Sequence, residues 1–147
     1  MKRRKGFTLI EVLIVIVVIV VLASIVIPRL LGAGRQAKEA SLRAHLQELR
    51  NSVGLFQSHT GTYPAVLADI MGNTAPVSGL SVTAAVININ ATDYKGPYLT
   101  TADGNLPKNP ITSLVDWDYG IVIPNVGAVH ASAGGTLAGG SDNYSLW

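Results

Sequence analysis

One carboxylate of this chain stands where carboxylates are rarely found. Glu11 is the single charged residue in the otherwise apolar run of residues 7–27, which follows four basic residues at positions 2–5. At about 1.5 Å per residue, a helix over that run would be roughly 32 Å long, close to the hydrocarbon thickness of a bilayer. An ionised carboxylate inside such a helix costs about 3 kcal/mol or more. Glu11 therefore needs either a cationic partner or a position near the membrane surface.

The basic residues before the run set the orientation of the predicted membrane helix. Cationic side chains favour the cytoplasmic side, which places the rest of the chain on the far side of the membrane. A cleaved secretory signal fits poorly, because the run is too long, contains an acid and is not followed by A-x-A. Two interpretations stay open on the residues alone: an uncleaved signal anchor whose Glu11 is hydrated, or a membrane helix whose acid meets a partner.

The order of residues 5–11, K-G-F-T-L-I-E, followed by aliphatic residues and Pro28, resembles the N-terminus of type IV pilins and type II secretion pseudopilins. The resemblance implies that a membrane-embedded prepilin peptidase cuts between Gly6 and Phe7 and methylates the new amino group of Phe7. It also implies that Glu11 neutralises the N-terminal ammonium group of an adjacent subunit in a filament. Because desolvation offsets much of the attraction of a buried ion pair, this role concerns docking more than stability.

Pro28 lacks a backbone N–H, so it predicts a kink or a local loosening of the helix. A complete break between an anchor helix and a second helix is the alternative interpretation. In the pilin family this region straightens or melts during filament packing, which makes Pro28 a candidate assembly residue.

Apolar residues recur beyond Pro28 at spacings of 4, 3, 4 and 3, which places them on one face of a continued helix over residues 29–58. This stripe is the predicted core contact of the helix. His45 beside it is interpreted as a packed residue, and the charged residues on the other faces are interpreted as solvated. The residues of the stripe are Leu42, Leu46, Leu49, Val53 and Phe56.

The rest of the chain predicts a small antiparallel sheet on the second half of the helix, an α+β fold. The helix is expected to end at residues 59–61, Pro64 to open a short helix over residues 65–70, and residues 72–93 to form a loop with one edge strand near 85–89. Residues 115–123 and 127–131 predict two strands around a turn at 124–125. The expected organisation is a cleaved leader (1–6), a membrane and filament-core helix (7–28), an amphipathic helix (29–58) and a head (59–147).

Several features of the head are similar to the major pseudopilin, the G subunit of type II secretion. They are the G-x-Y-P step at residues 61–64, the segments 94–99 and 106–110, and the C-terminal residues 141–147. In that subunit an acidic pair before the final Trp contributes to a calcium site. Here the matching positions are Asp142 and Asn143, and we favour the alternative of a surface loop pinned by Trp147. Asp116 and Asp118 are acidic residues that the sequence does not place near this pair.

Charge and composition exclude several functions. Residues 1–6 hold four of the eleven Lys/Arg and none of the nine Asp/Glu, so seven basic and nine acidic residues leave a formal charge of −2 on the remainder. An acidic head does not favour nucleic-acid binding. The absence of cysteine excludes disulfides and thiolate metal sites. The three scattered His residues form no catalytic pattern, and His130 is predicted to be a strand residue rather than a metal ligand.

The sequence thus predicts a non-enzymatic, membrane-anchored subunit of a type II secretion pseudopilus, without a cofactor unless calcium binds. The resemblance implies several partners: other copies, prepilin peptidase, an inner-membrane assembly platform, minor pseudopilins and, before assembly, membrane lipid. A type IV pilin for surface adhesion, twitching or DNA uptake is the close alternative. A single-pass anchor that displays a binding domain and never polymerises is the alternative of another class.

Overall fold

The computed structural model describes residues 7–132, without the side chains of residues 28–32. Its first element is a 52-residue helix, α1 (Leu9–Thr60). Contacts divide the chain between Ala37 and Lys38 into two units, and α1 contributes to both. The predicted long helix is confirmed. Pro28 does not end it, because one missing N–H removes a single bond from a helix that propagates cooperatively. The alternative of a complete break is wrong, and the kink stays a prediction.

Helix α1 ends at Thr60, directly before Gly61, as the sequence predicts. Gly61 has a φ of +72°, in the left-handed region that glycine adopts without strain. Its N–H donates to the carbonyl of Gln57 at 2.8 Å, and the Thr60 hydroxyl donates to the carbonyl of Phe56 at 2.9 Å. These bonds satisfy two of the carbonyl groups that the last turn of a helix leaves without a partner.

Three short strands form a first antiparallel sheet in the order β1–β2–β3. They are β1 (Tyr63–Pro64), β2 (Ser78–Leu80) and β3 (Val86–Asn88). Tyr63 is opposite Leu80, and Ser78 is opposite Asn88. The predicted edge strand near residues 85–89 is confirmed as β3, whereas β2 was not predicted.

The prediction that Pro64 opens a short helix is wrong. Pro64 lies in β1 opposite Gly79, because a proline without an N–H is tolerated in an edge strand. The short helix that follows is a 3-10 helix at Leu67–Met71. Its start is fixed by Asp69, whose carboxylate accepts a hydrogen bond from the backbone N–H of Val66 at 3.0 Å.

A second antiparallel sheet consists of β4 (Trp117–Tyr119) and β5 (Val129–Ala131). The predicted turn at residues 124–125 is confirmed by the hydrogen bond from the Asn125 N–H to the Val122 carbonyl at 2.9 Å. The strand predicted over 115–123 is shorter than expected, since regular pairing stops at Tyr119. The described head therefore holds two small sheets instead of one.

The predicted stripe on α1 forms the centre of the core, and all five of its residues are buried. Trp117 and Tyr119 of β4 pack against this cluster from one side, as their shared strand face predicts. Other buried members come from the 3-10 helix, from Leu99 and from β5. They are Leu67, Ile70, Leu99, Val129 and Ala131.

Candidate functional site

The first candidate site is the apolar segment Leu9–Ile27 at the start of α1. Its mean hydropathy is 3.4, and none of it is buried in the described structure. Its large aliphatic side chains are between 50% and 85% exposed. Within the part of the chain that the structure describes, this is the one segment long and apolar enough to cross a membrane. A rod that is apolar on every side needs lipid or other apolar helices around it.

Glu11 closes a reciprocal cap with Thr8 at the beginning of this segment. The Thr8 N–H and the Thr8 hydroxyl donate to Glu11 Oε2 at 2.8 Å and 2.9 Å, and the Glu11 N–H donates to the Thr8 hydroxyl at 3.3 Å. This is a capping box, which satisfies N–H groups that a helix N-terminus otherwise leaves unpaired. Sequence reasoning missed the role of Thr8, although the pattern T-x-x-E before an apolar run is a known signal of such a cap.

The cap leaves part of the Glu11 carboxylate available. Both hydrogen bonds go to Oε2, and Oε1 receives none from the described residues. A cation that approaches Oε1 could therefore pair with the carboxylate while Thr8 still holds Oε2. Phe7, two residues before α1 begins and 87% exposed, lies at the same end of the helix. Gly6 and the basic residues before it are outside the described residues, so the cleavage position stays a prediction.

Arg50 connects α1 to the second sheet. Its Nε and Nη2 atoms both donate to the carbonyl of Val129, at 3.0 Å and 2.8 Å. The sequence suggested a solvated surface charge here, because nothing along the chain links position 50 to position 129. This double hydrogen bond fixes β5 against the helix and uses the guanidinium as a planar donor.

An aromatic cluster joins α1 to the segment of residues 94–99. Phe56 packs edge-on against Tyr94 and Tyr98, with ring centroids 5.9 Å and 5.6 Å apart. The Tyr94 hydroxyl donates to the carbonyl of Gly72 at 2.5 Å, and the backbone N–H of Lys95 donates to the Tyr98 hydroxyl at 2.9 Å. Burial raises the pKa of Tyr94 above its ordinary value, with smaller contributions from Tyr98 and Asp69. These contacts fix the loop to the core.

The candidate metal ligands are not assembled by the residues that the structure describes. Asp142, Asn143 and Trp147 lie outside the described residues, so the favoured surface loop pinned by Trp147 and the alternative calcium site both stay predictions. Within residues 7–132, no group of three or more His, Asp or Glu side chains is arranged to hold a metal ion. Asp116 Oδ2 accepts a hydrogen bond from the Ser132 hydroxyl at 3.0 Å, while Asp118 is exposed.

The two histidines that the sequence analysis weighed as ligands both lie partly buried. His45 stands beside the core stripe, and His130 lies in β5 opposite Asp118. The Nδ1 atom of each ring is buried without a hydrogen-bond partner among the described atoms. Their positions agree with the expectation of packed side chains.

Comparison with known proteins relates parts of the chain to one group of proteins. The profile of the prokaryotic N-terminal methylation motif matches residues 1–27. The type IV wide pilus major component PilA4 of Thermus thermophilus is 32% identical over 94 residues, which are 64% of this chain and 72% of that protein. Type II secretion system core protein G of Klebsiella pneumoniae is 36% identical over 64 residues, 44% of this chain and 46% of that protein.

The corresponding core protein G of Aeromonas hydrophila is 35% identical over 63 residues, which are 43% of this chain and 44% of that protein. The chain thus spans less than half the length of the secretion proteins that it matches. No solved structure matches it.

Proposed function

The chain belongs to the family of type IV pilins and type II secretion pseudopilins, and from that premise we propose that it is the major structural subunit of a type II secretion pseudopilus. Proteins of this family are structural subunits and not enzymes. The apolar segment Leu9–Ile27 is the observation that carries the proposal, because one folded copy leaves the segment fully uncovered.

We further propose that the chain is processed before it assembles. Prepilin peptidase removes residues 1–6 between Gly6 and Phe7, and Phe7 becomes the methylated N-terminus. Before assembly the apolar segment spans the inner membrane, with the leader in the cytoplasm and the head in the periplasm. A platform in the inner membrane and minor pseudopilins then act on the subunit during assembly. Pro28 is the position where α1 adjusts its path in the filament.

Glu11 is the proposed contact between copies within the filament core. The ammonium group of a neighbouring Phe7 approaches Oε1, the carboxylate oxygen that the Thr8 cap leaves without a hydrogen bond. In a surrounding of low dielectric the attraction is strong and either charge is costly without the other, so the pair selects the axial register of one apolar helix against the next. The capping box supports this role because it holds the carboxylate at a fixed place on the first turn.

A type IV pilus on the cell surface is the second candidate function, and one observation favours it. The similarity to the wide-pilus protein extends over 64% of this chain, whereas the similarity to the secretion protein of Klebsiella covers 44%. The secretion pseudopilus is supported instead by the head segments 94–99 and 106–110. The absence of cysteine supports it as well, because many major type IV pilins close a C-terminal loop with a disulfide and the major pseudopilin typically does not.

Deletion of the gene, followed by its restoration, separates these candidates. A pseudopilus subunit predicts that exported proteins accumulate in the periplasm of the deletion strain and return to the medium on restoration. Loss of filaments sheared from the cell surface, with protein export unchanged, would instead identify a type IV pilin. Mass spectrometry of the N-terminus tests the premise itself, since a non-polymerising anchor keeps Met1 whereas a pilin begins with methylated Phe7.

A further inference from the structure

In the described part of the head, aliphatic side chains stay exposed after folding at two segments besides Val66, Leu114 and Val115. The hairpin patch belongs to β2, β3 and their flanking residues, and the loop patch consists of the three consecutive residues 121–123 after β4. Their exposed fractions are 44–84% in the hairpin patch and 52–64% in the loop patch. Val86 and Ile87 are consecutive in the strand Val86–Asn88 and lie on opposite faces of the sheet, so the feature that the hairpin residues share is the edge of that strand. An exposed apolar sheet edge marks a site of interaction. The hairpin patch comprises Val77, Val82, Val86 and Ile87, and the loop patch comprises Ile121, Val122 and Ile123.

The hairpin patch includes an open sheet edge. The N–H of Ser81 donates to the carbonyl of Ala85, and the N–H of Ile89 donates to the carbonyl of Val77. Because antiparallel pairs alternate, the backbone groups of Val86 and Asn88 between them point away from β2. No described strand pairs with that side of β3. These N–H and C=O groups are therefore available for hydrogen bonds with another chain.

Both patches lack the charges that usually protect such surfaces. Residues 70–92 and residues 119–129 contain no Asp, Glu, Lys, Arg or His. Soluble proteins commonly place charged residues on exposed strand edges to prevent association. Beyond residue 58 the two Lys and six Asp leave a formal charge of −4, so copies of the head repel each other. Contact between copies is favourable where uncharged surfaces face each other.

The two patches lie on different sides of the first sheet. β3, in the hairpin patch, is one edge of that sheet and β1 is the other. The loop patch belongs to the β1 side, because the Tyr119 hydroxyl donates to the carbonyl of Pro64 at 2.8 Å. Gly127, at the end of the same loop, lies against the ring of Tyr63. A head with different patches on two sides can contact one copy through each of them.

We propose that the hairpin patch of one copy of this chain binds the loop patch of the next copy. The inference rests on the proposed function, because it assigns the head contact of the same filament. A contact between unlike surfaces passes from each copy to the next, and it generates an open helical assembly when the rotation between copies does not close a ring. Seven aliphatic side chains fall short of the roughly 800 Å² per partner that stable complexes bury. The contact therefore forms between copies that their apolar helices already hold together, at a high effective concentration.

Disulfide trapping in assembled filaments tests the contact directly, because the native chain contains no cysteine. The double variant Val86→Cys with Val122→Cys is expected to give a ladder of covalent oligomers on mild oxidation. Each single variant is expected to stay monomeric. The control pairs Val66→Cys with Val122→Cys, since Val66 is an exposed valine outside both patches, 56% exposed against 71% for Val86. We expect about tenfold more oligomer from the test pair than from the control, because contact raises the local concentration.

A charge placed in the hairpin patch gives an independent measurement. Val86→Lys should lower the filament yield about tenfold, because the contact would bury an unpaired ammonium group. Val66→Lys is the matched control and should assemble like the native chain. Thermal unfolding should be the same for both variants, since both valines are exposed.

The failure of this inference differs from the failure of the proposed function. Equal filament yields from Val86→Lys and Val66→Lys, together with no ladder from the test pair, would overturn the head contact and leave the filament role intact. Dimers from Val86→Cys alone would overturn it as well, in favour of a symmetric contact. If the native chain keeps Met1 and never polymerises, both proposals are wrong.

Discussion

Two parts of helix α1 are rich in aliphatic residues and have opposite surroundings. Between Leu9 and Ile27 the apolar residues cover every side of the helix, and none of the segment is buried. Between Leu42 and Phe56 they occupy one stripe, and every residue of the stripe is buried. The second part is completed by its own chain, whereas the first needs lipid or other copies. A helix that is apolar on every side is built for contacts outside its own chain, whereas a helix with one apolar stripe is built to pack on its own domain.

Replacement of Glu11 should have the largest effect on assembly through the segment Leu9–Ile27. Glu11→Ala should insert into the membrane normally, because it removes a charge from the apolar run. It should lower the number of filaments by more than about tenfold, because the neighbouring Phe7 ammonium would be buried without its partner. Electron microscopy of filaments and immunoblots of membranes measure the two effects.

Ser24 provides the matched control for that experiment. It is a polar residue of the same segment, and its hydroxyl donates to the carbonyl of Val21 at 2.7 Å. Ser24→Ala should assemble normally because it leaves no charge unpaired. Normal assembly of Glu11→Ala would contradict the proposed role of the carboxylate.

Truncation of Phe56 breaks the second region while sparing the first. The ring is fully buried and contacts Tyr94 and Tyr98, so Phe56→Ala should lower the free energy of unfolding by about 3–5 kcal/mol. Leader removal and membrane insertion should be unchanged. Chemical denaturation of the detergent-solubilised chain, followed by tryptophan fluorescence, measures the loss.

Leu55 is the neighbouring control, since its side chain is 50% exposed. Leu55→Ala should change the free energy of unfolding by no more than about 0.5 kcal/mol. Similar losses in the two variants would mean that the stripe does not control the stability of the head.

Two glycines of the head separate the effect of packing from the effect of backbone strain. Gly127 and Gly104 both have a positive φ, +80° and +68°, but a Cβ on Gly127 would overlap the ring of Tyr63, whereas one on Gly104 would meet no atom within 4 Å. Gly127→Ala should therefore lower the free energy of unfolding by roughly 2–3 kcal/mol and Gly104→Ala by about 1 kcal/mol. Thermal unfolding of both variants tests this order, which equal losses would contradict.

Replacement of Tyr119 should have the smallest effect on the free energy of unfolding and should change how that free energy depends on pH. Burial raises the pKa of Tyr119 well above its ordinary value near 10, with smaller contributions from Asp69 and Tyr63. Because the hydroxyl stays protonated in the fold while the unfolded chain ionises, stability is complete below about pH 10 and declines as the pH rises further. Tyr119→Phe should cost about 1 kcal/mol at neutral pH, since the bond to the Pro64 carbonyl is lost.

The same substitution should make the alkaline decline shallower. Tyr94, whose pKa is also raised, keeps part of that decline in the variant. Unfolding curves between pH 7 and about pH 11 measure both changes. An identical pH dependence in the variant and the native chain would assign the decline to other residues.

Some of this fold and of the candidate site can be predicted because the signals are local. The stripe from Leu42 to Phe56 follows from helical periodicity, and Gly61 ends α1 because its backbone conformation suits glycine. Thr8 carried a local signal of the same kind, the capping box with Glu11, and could have been found by it. By contrast, β2 has no alternation of its own, and its pairing with β1 and β3 makes it a strand.

What the sequence alone determined is the membrane-length apolar run, its single acid and the face of the helix that becomes the core. Hydrophobicity, charge and periodicity are properties of consecutive residues, so they are readable without the fold. Only the tertiary structure decided that Arg50 holds the Val129 carbonyl, that Tyr119 holds Pro64 and that two aliphatic patches stay uncovered. Those contacts join residues far apart in the chain, where pairing depends on the shape of the packed head and not on the order of its residues.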